Sequence, residues 1–332
     1  MCSRVLETRL SESVAMSISE APAELDAQYR VLRETAGYLE RPERRLFELT
    51  GGEAAEYLQG QLTNEIEALA PGEGCYAALL DRKGHMQGDM RVLRLADDAI
   101  GIGTEAVAAD AVIKHLSMYK IGREVTIDDR SGTLAVVSVI GPAAIERVVG
   151  GPLGPEHAHR ELQLGPARVH AAATDVGVDL IVPREDLPAV IEALAAAGVE
   201  PVGEAAAEIV RVESGRPRFG AEMTTATIPQ EAGINERAVD FVKGCYIGQE
   251  TVARLHYRGK PNRNLRGLRP TGPVAAGDPI VLADRELGVV GTAVVSPARV
   301  PLALAIVRRE AEPGATVTVG DGTEAEVIEL PF

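Results

Sequence analysis

The sequence contains no tryptophan, and aromatic residues make up 3% of its 332 residues. Proteins that bind single-stranded nucleic acids stack the bases on aromatic side chains, so a stacking surface of this kind is not expected. The chain also has fewer positive than negative residues: 34 Lys and Arg against 49 Asp and Glu, which gives a net charge of −15. Such a surface repels phosphate backbones, and we expect no broad nucleic-acid binding.

The chain is also poor in cysteine. Cys2, Cys75 and Cys245 are far apart and form no C-x-x-C pair, which argues against a disulfide framework and a four-cysteine metal site. A run of about 18 apolar residues is missing, and the N-terminus lacks the apolar segment of a signal peptide. We therefore expect no membrane contact, and a reducing cytoplasm is the simplest setting.

Hydrophobic residues are plentiful, at 45% of the chain, and the length suggests two or three domains. Helical and strand-like patterns are mixed along the first two thirds of the sequence. From about residue 264 onward, short strand patterns alternate with glycine-containing turns. This order predicts an α+β fold followed by a terminal β domain.

Individual elements can be read from their periodicity. Residues 53–66 have Leu58, Leu62 and Ile66 at four-residue intervals, which predicts a helix. Residues 75–95 read as two strands joined by the turn DRKG, and residues 105–120 as an amphipathic helix. Regular periodicity fades over residues 219–263, and an irregular stretch of this length is usually functional or disordered.

The stretch KGCYIGQE, residues 243–250, surrounds Cys245 with a lysine and two glycines. A lone cysteine is most often a small buried residue, but flanking glycines suggest close approach of the backbone to another group. Lys243 would lower the thiol pKa if it turned inward. A Cys–His nucleophile would need His256, and no oxyanion loop or third group supports that arrangement.

Three other groups have both a structural and a functional interpretation. Asp89 is either a solvated carboxylate or an acid/base facing a pocket. His157 and His159 lie in a loop without metal-ligand spacing, and we expect them to be exposed. A positive island in this acidic chain is either solvated surface or a site for an anionic ligand. Its residues are Arg254, Arg258, Lys260, Arg263, Arg266 and Arg269.

These stretches together resemble a known family. KGCYIGQE resembles the signature of the YgfZ proteins, bacterial relatives of a mitochondrial iron–sulfur assembly factor. LQGQLTNEI (58–66), YAALLDRKGHMQGDM (76–90) and RVESGRPRFGAEMTTATIPQEAG (211–233) are similar in the same order. These three stretches are also shared with the T-protein, the folate-dependent aminomethyltransferase of the glycine cleavage system.

The resemblance implies a fold and a ligand. Residues 25–262 would form a T-protein-like folate-binding body of two α+β subdomains around a central channel. Residues 263–332 would form a C-terminal β-barrel. Residues 1–24 precede the stretch that the resemblance covers, and from their sequence we expect them to be a disordered extension. The implied ligand is tetrahydrofolate or a one-carbon derivative. The implied role is assembly or maintenance of iron–sulfur enzymes, with iron–sulfur client or assembly proteins as partners and an indirect effect on tRNA modification.

The resemblance also suggests site residues. Asp89 takes the position of the aspartate beside the folate nitrogens, and Arg211 that of an arginine near the folate. Asp175 and Asp179 fall where T-proteins carry glutamates, and Cys245 would lie at the mouth of the pocket. The expected set has Cys245 and Asp89 as reactive groups, with Asp89, Arg211, Tyr76, Lys243, Gln249, Glu250 and Arg254 binding the ligand and no metal ligands.

Three functions stay open on this basis. The main expectation is a tetrahydrofolate-binding accessory protein for iron–sulfur enzymes, which would not be a classical enzyme. The alternative is a folate-dependent aminomethyltransferase, in which Asp89 assists one-carbon transfer as acid or base. The third is a folate-free scaffold that docks partner proteins through its irregular polar stretch.

Overall fold

The computed structural model describes residues 22–332 of the chain. In this range the strands are, in chain order, β1 (Gly37–Glu40), β2 (Arg44–Thr50), β3 (Gly74–Leu80), β4 (Met86–Ala96), β5 (Ala99–Glu105), β6 (Thr126–Asp129), β7 (Leu134–Ile140), β8 (His159–Leu164), β9 (Ala167–Thr174), β10 (Gly177–Pro183), β11 (Glu200–Pro201), β12 (Arg263–Pro270), β13 (Pro279–Leu282), β14 (Arg285–Val289), β15 (Thr292–Ser296), β16 (Val300–Arg308), β17 (Thr316–Val319) and β18 (Thr323–Ile328). The α-helices are α1 (Pro22–Glu34), α2 (Ala54–Gln59), α3 (Ala106–Tyr119), α4 (Ala144–Val149), α5 (Leu187–Ala196), α6 (Glu204–Glu213), α7 (Asn235–Ala238) and α8 (Gln249–Arg258).

These strands form three sheets. The first has the order β3-β4-β5-β2-β6, and the second β11-β1-β7-β10-β9-β8. The third, with the order β14-β13-β17-β18-β12-β16-β15, contains all strands after residue 262. The α+β architecture predicted from the sequence is confirmed.

The first sheet is amphipathic because successive strand residues point to opposite faces. On β4, Met86, Met90 and Val92 are buried in the core beneath α2 and α3. Gly88 brings α3 close, since an added Cβ would lie 2.9 Å from the Ala108 Cβ. The alternate residues, including Asp89 and Arg91, occupy the other face, which is turned toward the second sheet.

The second sheet repeats this arrangement with α4 and α5. Val137 and Val139 of β7, and Val178 and Leu180 of β10, are buried in a core beneath the helices. The alternate residues of both strands face the first sheet, and they include the polar Asp179. The inner faces of the two sheets therefore enclose a shared space.

The third sheet curls on itself. An ideal Cβ on Gly288 of β14 would lie 2.7 Å from the carbonyl oxygen of Ile306 on β16. Since β14 and β16 are separated by four strands in the sheet order, this approach brings the sheet close to barrel closure. The curled sheet matches the expected C-terminal β-barrel.

A buried carboxylate ties the third sheet to the rest of the protein. Glu213, at the end of α6, is 5% exposed. Its Oε1 accepts hydrogen bonds from the Tyr29 hydroxyl of α1, at 2.9 Å, and from the Ser296 hydroxyl of β15, at 2.5 Å. Helices α1 and α6 and the third sheet therefore meet at one side chain.

Two element predictions were wrong. The helix expected over residues 53–66 ends at Gln59, after which the chain turns and Leu62 bridges to Leu79 of β3. The Gln59 side chain accepts a hydrogen bond from the backbone N–H of Ile66, at 2.7 Å, which stabilises this turn. The stretch 219–263, predicted to be irregular, contains α7 and the ten-residue helix α8.

The division of the chain into domains stays a prediction. A disordered extension was expected for residues 1–24. Of these, residues 1–21 lie outside the described residues, and residues 22–24 belong to α1. The boundary proposed between 262 and 263 coincides with the start of β12. Within residues 22–332, the helices are too short or too polar to cross a bilayer.

We expect Glu213→Ala to lower the free energy of unfolding by about 2–4 kcal/mol, because it leaves two buried hydroxyls without their shared acceptor. Urea unfolding would measure the change. The control is Glu326→Ala, which removes an exposed carboxylate 3.5 Å from Arg269 and should cost less than about 0.5 kcal/mol. Equal losses of unfolding free energy in the two variants would contradict the role of Glu213 in joining α1, α6 and the third sheet.

Candidate functional site

A cavity of about 540 Å³ lies between the inner faces of the first and second sheets. Its lining comes from β2, β3, β4 and β5 on one side and from β7, β9 and β10 on the other. Residues of α6 and of the following segment, among them Arg211 and Arg218, complete the wall. A volume of this order suits a small organic ligand.

The lining is more positive than the protein as a whole. It contains nine arginines against seven carboxylates, although the chain carries a net charge of −15. The arginines are Arg41, Arg44, Arg91, Arg130, Arg168, Arg211, Arg216, Arg218 and Arg237. The carboxylates are Glu48, Glu105, Glu156, Glu161, Asp89, Asp175 and Asp179. A local excess of guanidinium groups favours an anionic ligand.

Asp89 of β4 lines this cavity, and its two carboxyl oxygens have different surroundings. Its Oδ2 accepts a hydrogen bond from the Tyr76 hydroxyl at 2.6 Å, while its Oδ1 is buried without a partner among the described residues. The Thr104 hydroxyl fixes the strand by donating to the Asp89 carbonyl oxygen at 2.6 Å. Burial raises the pKa of Asp89, with a smaller contribution from Glu105, against the opposing effects of Tyr76 and Arg44.

Tyr76 is itself held by a chain of contacts. The guanidinium carbon of Arg237 lies 5.1 Å from the centre of the Tyr76 ring, and Arg237 forms an ion pair with Glu156. Burial, and then the neighbouring Asp89, raises the pKa of Tyr76 well above its ordinary value. The phenol therefore stays protonated and acts as a permanent donor to Asp89.

An ion pair joins the two sheets across the cavity. Arg91 Nη1 of β4 lies 2.7 Å from Asp179 Oδ2 of β10. The Ser138 hydroxyl of β7 donates to Asp179 Oδ1 at 2.6 Å, and it accepts from Arg41 Nε at 3.1 Å. Burial alone would raise the pKa of Asp179, but Arg91 and Ser138 outweigh it and the pKa is lowered. Asp179 is therefore a charged, structural carboxylate, in contrast to Asp89.

Two glycines leave room in the cavity wall. Gly101 and Gly103 on β5 line the cavity at alternate positions, next to Glu105. An ideal Cβ on either would meet its nearest protein atom at 3.4 Å, which is ordinary contact. Since a Cβ would fit at both positions without a clash, the absence of side chains there keeps cavity volume open.

Arg211, expected to bind the ligand, lines the cavity but has several protein partners. Its guanidinium pairs with Glu208 at 2.6 Å and with Glu222 at 3.0 Å. It also donates to the Thr292 hydroxyl of β15 at 2.8 Å. Arg211 thus connects α6 to the third sheet, and its contact with a ligand stays a prediction. Asp175 also lines the cavity, paired with Arg216 at 2.6 Å.

The KGCYIGQE stretch lies outside the cavity lining. Lys243 Nζ donates to the carbonyl oxygens of Gln59, Leu62 and Asn64, at 2.8, 2.8 and 2.5 Å. Burial lowers the pKa of Lys243 to about 8. Cys245 is exposed and free, so Lys243 points into the first α+β unit and not toward the thiol.

The remaining residues of this stretch shape the start of α8. Gly248 has a φ of 85°, and an added Cβ would lie 2.4 Å from the Asp81 carbonyl oxygen, so glycine is required here. Gln249 accepts a hydrogen bond from the Tyr246 N–H at 3.2 Å. Glu250 and Arg254 are exposed. The roles of these residues and of Cys245 in ligand binding or chemistry stay predictions.

The positive island also lies away from the cavity. Arg254, Arg258 and Lys260 are exposed on and after α8. Arg263 pairs with Glu231 at 2.7 Å, and Arg269 with Glu326 at 3.5 Å. The cavity obtains its positive charge from a different set of arginines, most of them on β2, β4, α6 and the segment after α6.

Some cavity residues were missed in the sequence. His157 and His159, expected to be exposed, are 8% and 5% exposed, and His157 lines the cavity. The loop pattern around them gave no sign of burial, because the burial comes from contacts with β3 and β9. The alternate glycines of the segment GIGTE did carry a signal, since glycine in a predicted strand marks close approach of another group.

Comparison with known proteins adds the family. The sequence profile of the GCVT N-terminal domain matches residues 17–243, well over half of the chain. The chain belongs to the GCVT N-terminal domain family. The match spans both sheets that enclose the cavity and ends at Lys243.

Similar proteins extend over nearly the whole chain. An aminomethyltransferase of Synechococcus sp. (strain RCC307) is 29% identical over 329 residues, covering 93% of this chain and 90% of its own length. One of Corynebacterium aurimucosum is 28% identical over 332 residues, with 92% and 89% covered. The crystal structure of the glycine cleavage system aminomethyltransferase T from Bartonella henselae has a TM-score of 0.84 at 23% identity, covering 93% of this chain and 90% of that chain. This structural similarity shows that the GCVT fold is shared along the chain.

These findings correct the main functional expectation. The prediction of an accessory protein for iron–sulfur enzymes was wrong, because the curated relatives that match this chain almost end to end are named aminomethyltransferases. The prediction depended on eight residues around Cys245, whereas the family match covers residues 17–243. The indirect effect on tRNA modification belonged to the same prediction and was wrong with it. The expected iron–sulfur partners are not shown by these comparisons.

We expect Asp89→Asn to stabilise the fold at neutral pH. Because the pKa of Asp89 is raised in the folded state, its ionisation costs stability as the pH rises through that value. Asparagine stays neutral and can still accept the Tyr76 hydrogen bond. The gain, about 0.5–2 kcal/mol, should be present at neutral pH and vanish below about pH 4, the ordinary aspartate pKa. Urea unfolding across this pH range would measure it.

The control is Asp129→Asn, because the exposed Asp129 has the opposite shift. Hydrogen bonds from Ser131 lower its pKa, so its charged form stabilises the fold above the unfolded pKa and this contribution is lost in acid. The substitution should reduce stability at neutral pH. A gain at Asp89 that does not depend on pH, or changes of the same sign at both positions, would refute the assignment of a raised pKa to Asp89.

Proposed function

We propose that this protein is a folate-dependent transferase of the aminomethyltransferase type, which moves a one-carbon unit from an aminomethyl donor to tetrahydrofolate. The observation that carries the proposal is the Asp89 carboxyl, which has a raised pKa and, among the described residues, an unpartnered Oδ1 in the wall of the cavity. Such a group is suited to exchange a proton with a ligand nitrogen. The GCVT family uses tetrahydrofolate, which supports the same reading.

The residues of the cavity fit tetrahydrofolate in three respects. The volume of about 540 Å³ is within the range of pockets for ligands of this size. The excess of arginines complements the glutamate carboxylates of a folate. The side-chain-free positions at Gly101 and Gly103 leave a smooth patch on which a flat ring can lie.

The chemistry divides between ligand and protein. Tetrahydrofolate, when bound, supplies the nitrogens that accept the one-carbon unit. Tyr76 holds Oδ2 of Asp89 by its hydrogen bond and so fixes the orientation of the carboxyl group. Oδ1 is then left to hold or release a proton toward the bound ligand, and the raised pKa keeps that proton exchangeable closer to neutral pH than in an ordinary aspartate.

Within the family, the KGCYIGQE stretch supports a place in the YgfZ branch. This is a proposal about kinship and not about activity. The exposed Cys245 and the carbonyl-bound Lys243 are not required for the proton transfer that we assign to Asp89.

The direct test is tetrahydrofolate-dependent release of ammonia from an aminomethyl-lipoyl carrier protein. We expect wild-type protein to catalyse it, and Asp89→Asn to lower kcat by roughly 10²–10⁴-fold while the affinity for tetrahydrofolate changes little. Anaerobic calorimetry would measure the affinity separately. Absence of tetrahydrofolate binding by the wild-type protein, or full activity of Asp89→Asn, would refute the proposal.

A second prediction concerns the cavity volume. Gly103→Val should leave stability unchanged or raise it, because a β-branched residue suits a strand and its Cβ has room. The same side chain would occupy ligand space and weaken tetrahydrofolate binding roughly tenfold or more. Melting temperature and calorimetry would report the two effects. Gly132→Val, at an exposed glycine with nothing within 4 Å of an added Cβ, should bind like the wild type.

A further inference from the structure

One wall of the cavity contains a histidine that the proposed chemistry does not use. His157 precedes β8, is 8% exposed, and has a φ of 73°. A positive φ is uncommon and strained for a residue other than glycine. Two contacts hold this conformation. The His157 N–H donates a hydrogen bond to the Ala173 carbonyl oxygen at 2.9 Å. The His157 carbonyl oxygen packs against Gly74, where an added Cβ would lie only 2.9 Å away.

The imidazole of His157 is also unsatisfied. Its Nδ1 is buried without a hydrogen-bond partner among residues 22–332. Burial, assisted by Arg91 and Arg237, lowers the pKa of His157 to about 3, so the ring is neutral at physiological pH. Nε2 faces Glu156 Oε1 at 3.7 Å, which favours the proton on Nε2. Nδ1 is then a hydrogen-bond acceptor without a donor.

His157 and Asp89 stand at two ends of one series of contacts. Asp89 bonds to Tyr76, Tyr76 lies under Arg237, and Arg237 pairs with Glu156, the neighbour of His157. Both ends carry a buried polar atom without a partner, and both line the same cavity. A strained backbone and an unpaired nitrogen each cost stability, and a ligand that meets the nitrogen accounts for both.

We propose that His157 is a ligand-binding residue, whose Nδ1 accepts a hydrogen bond from an N–H group of the tetrahydrofolate in this cavity. The inference rests on the proposed function. It assigns His157 to the part of the ligand that carries N–H donors, its ring system and linking amides, and not to the carboxylates, which have no proton to donate at neutral pH. The ligand carboxylates are left to the arginines.

Two substitutions at this position separate binding from folding. His157→Gly removes the acceptor and also relieves the positive φ, so its melting temperature should equal or exceed that of the wild type. His157→Asn also tolerates a positive φ and offers an oxygen near the position of Nδ1. By anaerobic calorimetry with tetrahydrofolate, we expect His157→Gly to bind roughly ten- to hundredfold more weakly, and His157→Asn to stay within about threefold of the wild type.

The outcomes distinguish this inference from the proposed function. If the wild type does not bind tetrahydrofolate, the proposed function fails and the role of His157 fails with it. If the wild type binds and His157→Gly binds equally well, only the inference is overturned. A lowered melting temperature in His157→Gly together with weaker binding, or binding by His157→Asn as weak as by His157→Gly, would also overturn the acceptor role.

Discussion

The ion pair between Arg91 and Asp179 joins two sheets that would otherwise place unpaired charges against each other. Arg91 belongs to the first sheet and Asp179 to the second, and their 2.7 Å contact spans the space between the inner faces. Removing either partner would leave the other charge partly buried and unpaired, which is strongly unfavourable. The contact thus links the two walls of the cavity, and other lining charges, such as Arg211 and Asp175, have ion pairs of their own.

The surroundings of Asp89 contrast with those of the paired Asp179. Asp179 is held charged by its neighbours. Asp89, whose Oδ2 accepts a hydrogen bond from Tyr76, has a raised pKa and one oxygen without a partner among the described residues. The pKa values of two carboxylates in one cavity are thus shifted in opposite directions because their surroundings differ. Such a difference separates a structural carboxylate from a candidate acid or base.

Much of this site could be predicted from the sequence. The two-residue period of residues 86–92 places Asp89 opposite the buried methionines, and the resemblance to the T-protein indicated Asp89 and Arg211. The partners of Arg211 could not be predicted, because Glu222 and Thr292 approach it from distant parts of the chain. The burial of His157 likewise depends on β3 and β9, which are neighbours only in the fold. The octapeptide around Cys245 indicated a different function from that of the curated relatives, because eight residues carry less information than similarity over nearly the whole chain.

The contacts of α6 with the third sheet show that the cavity depends on residues outside the two sheets that enclose it. Arg211 lines the cavity and reaches Thr292, Glu213 is bonded to Ser296, and the Phe332 N–H donates to the Glu213 carbonyl oxygen. The segment that defines the family stops at residue 243, but one wall of the cavity is braced by residues from 292 to the last residue of the chain. A fragment cut at residue 243 would therefore have the residues that line the cavity without the contacts from the third sheet that position them.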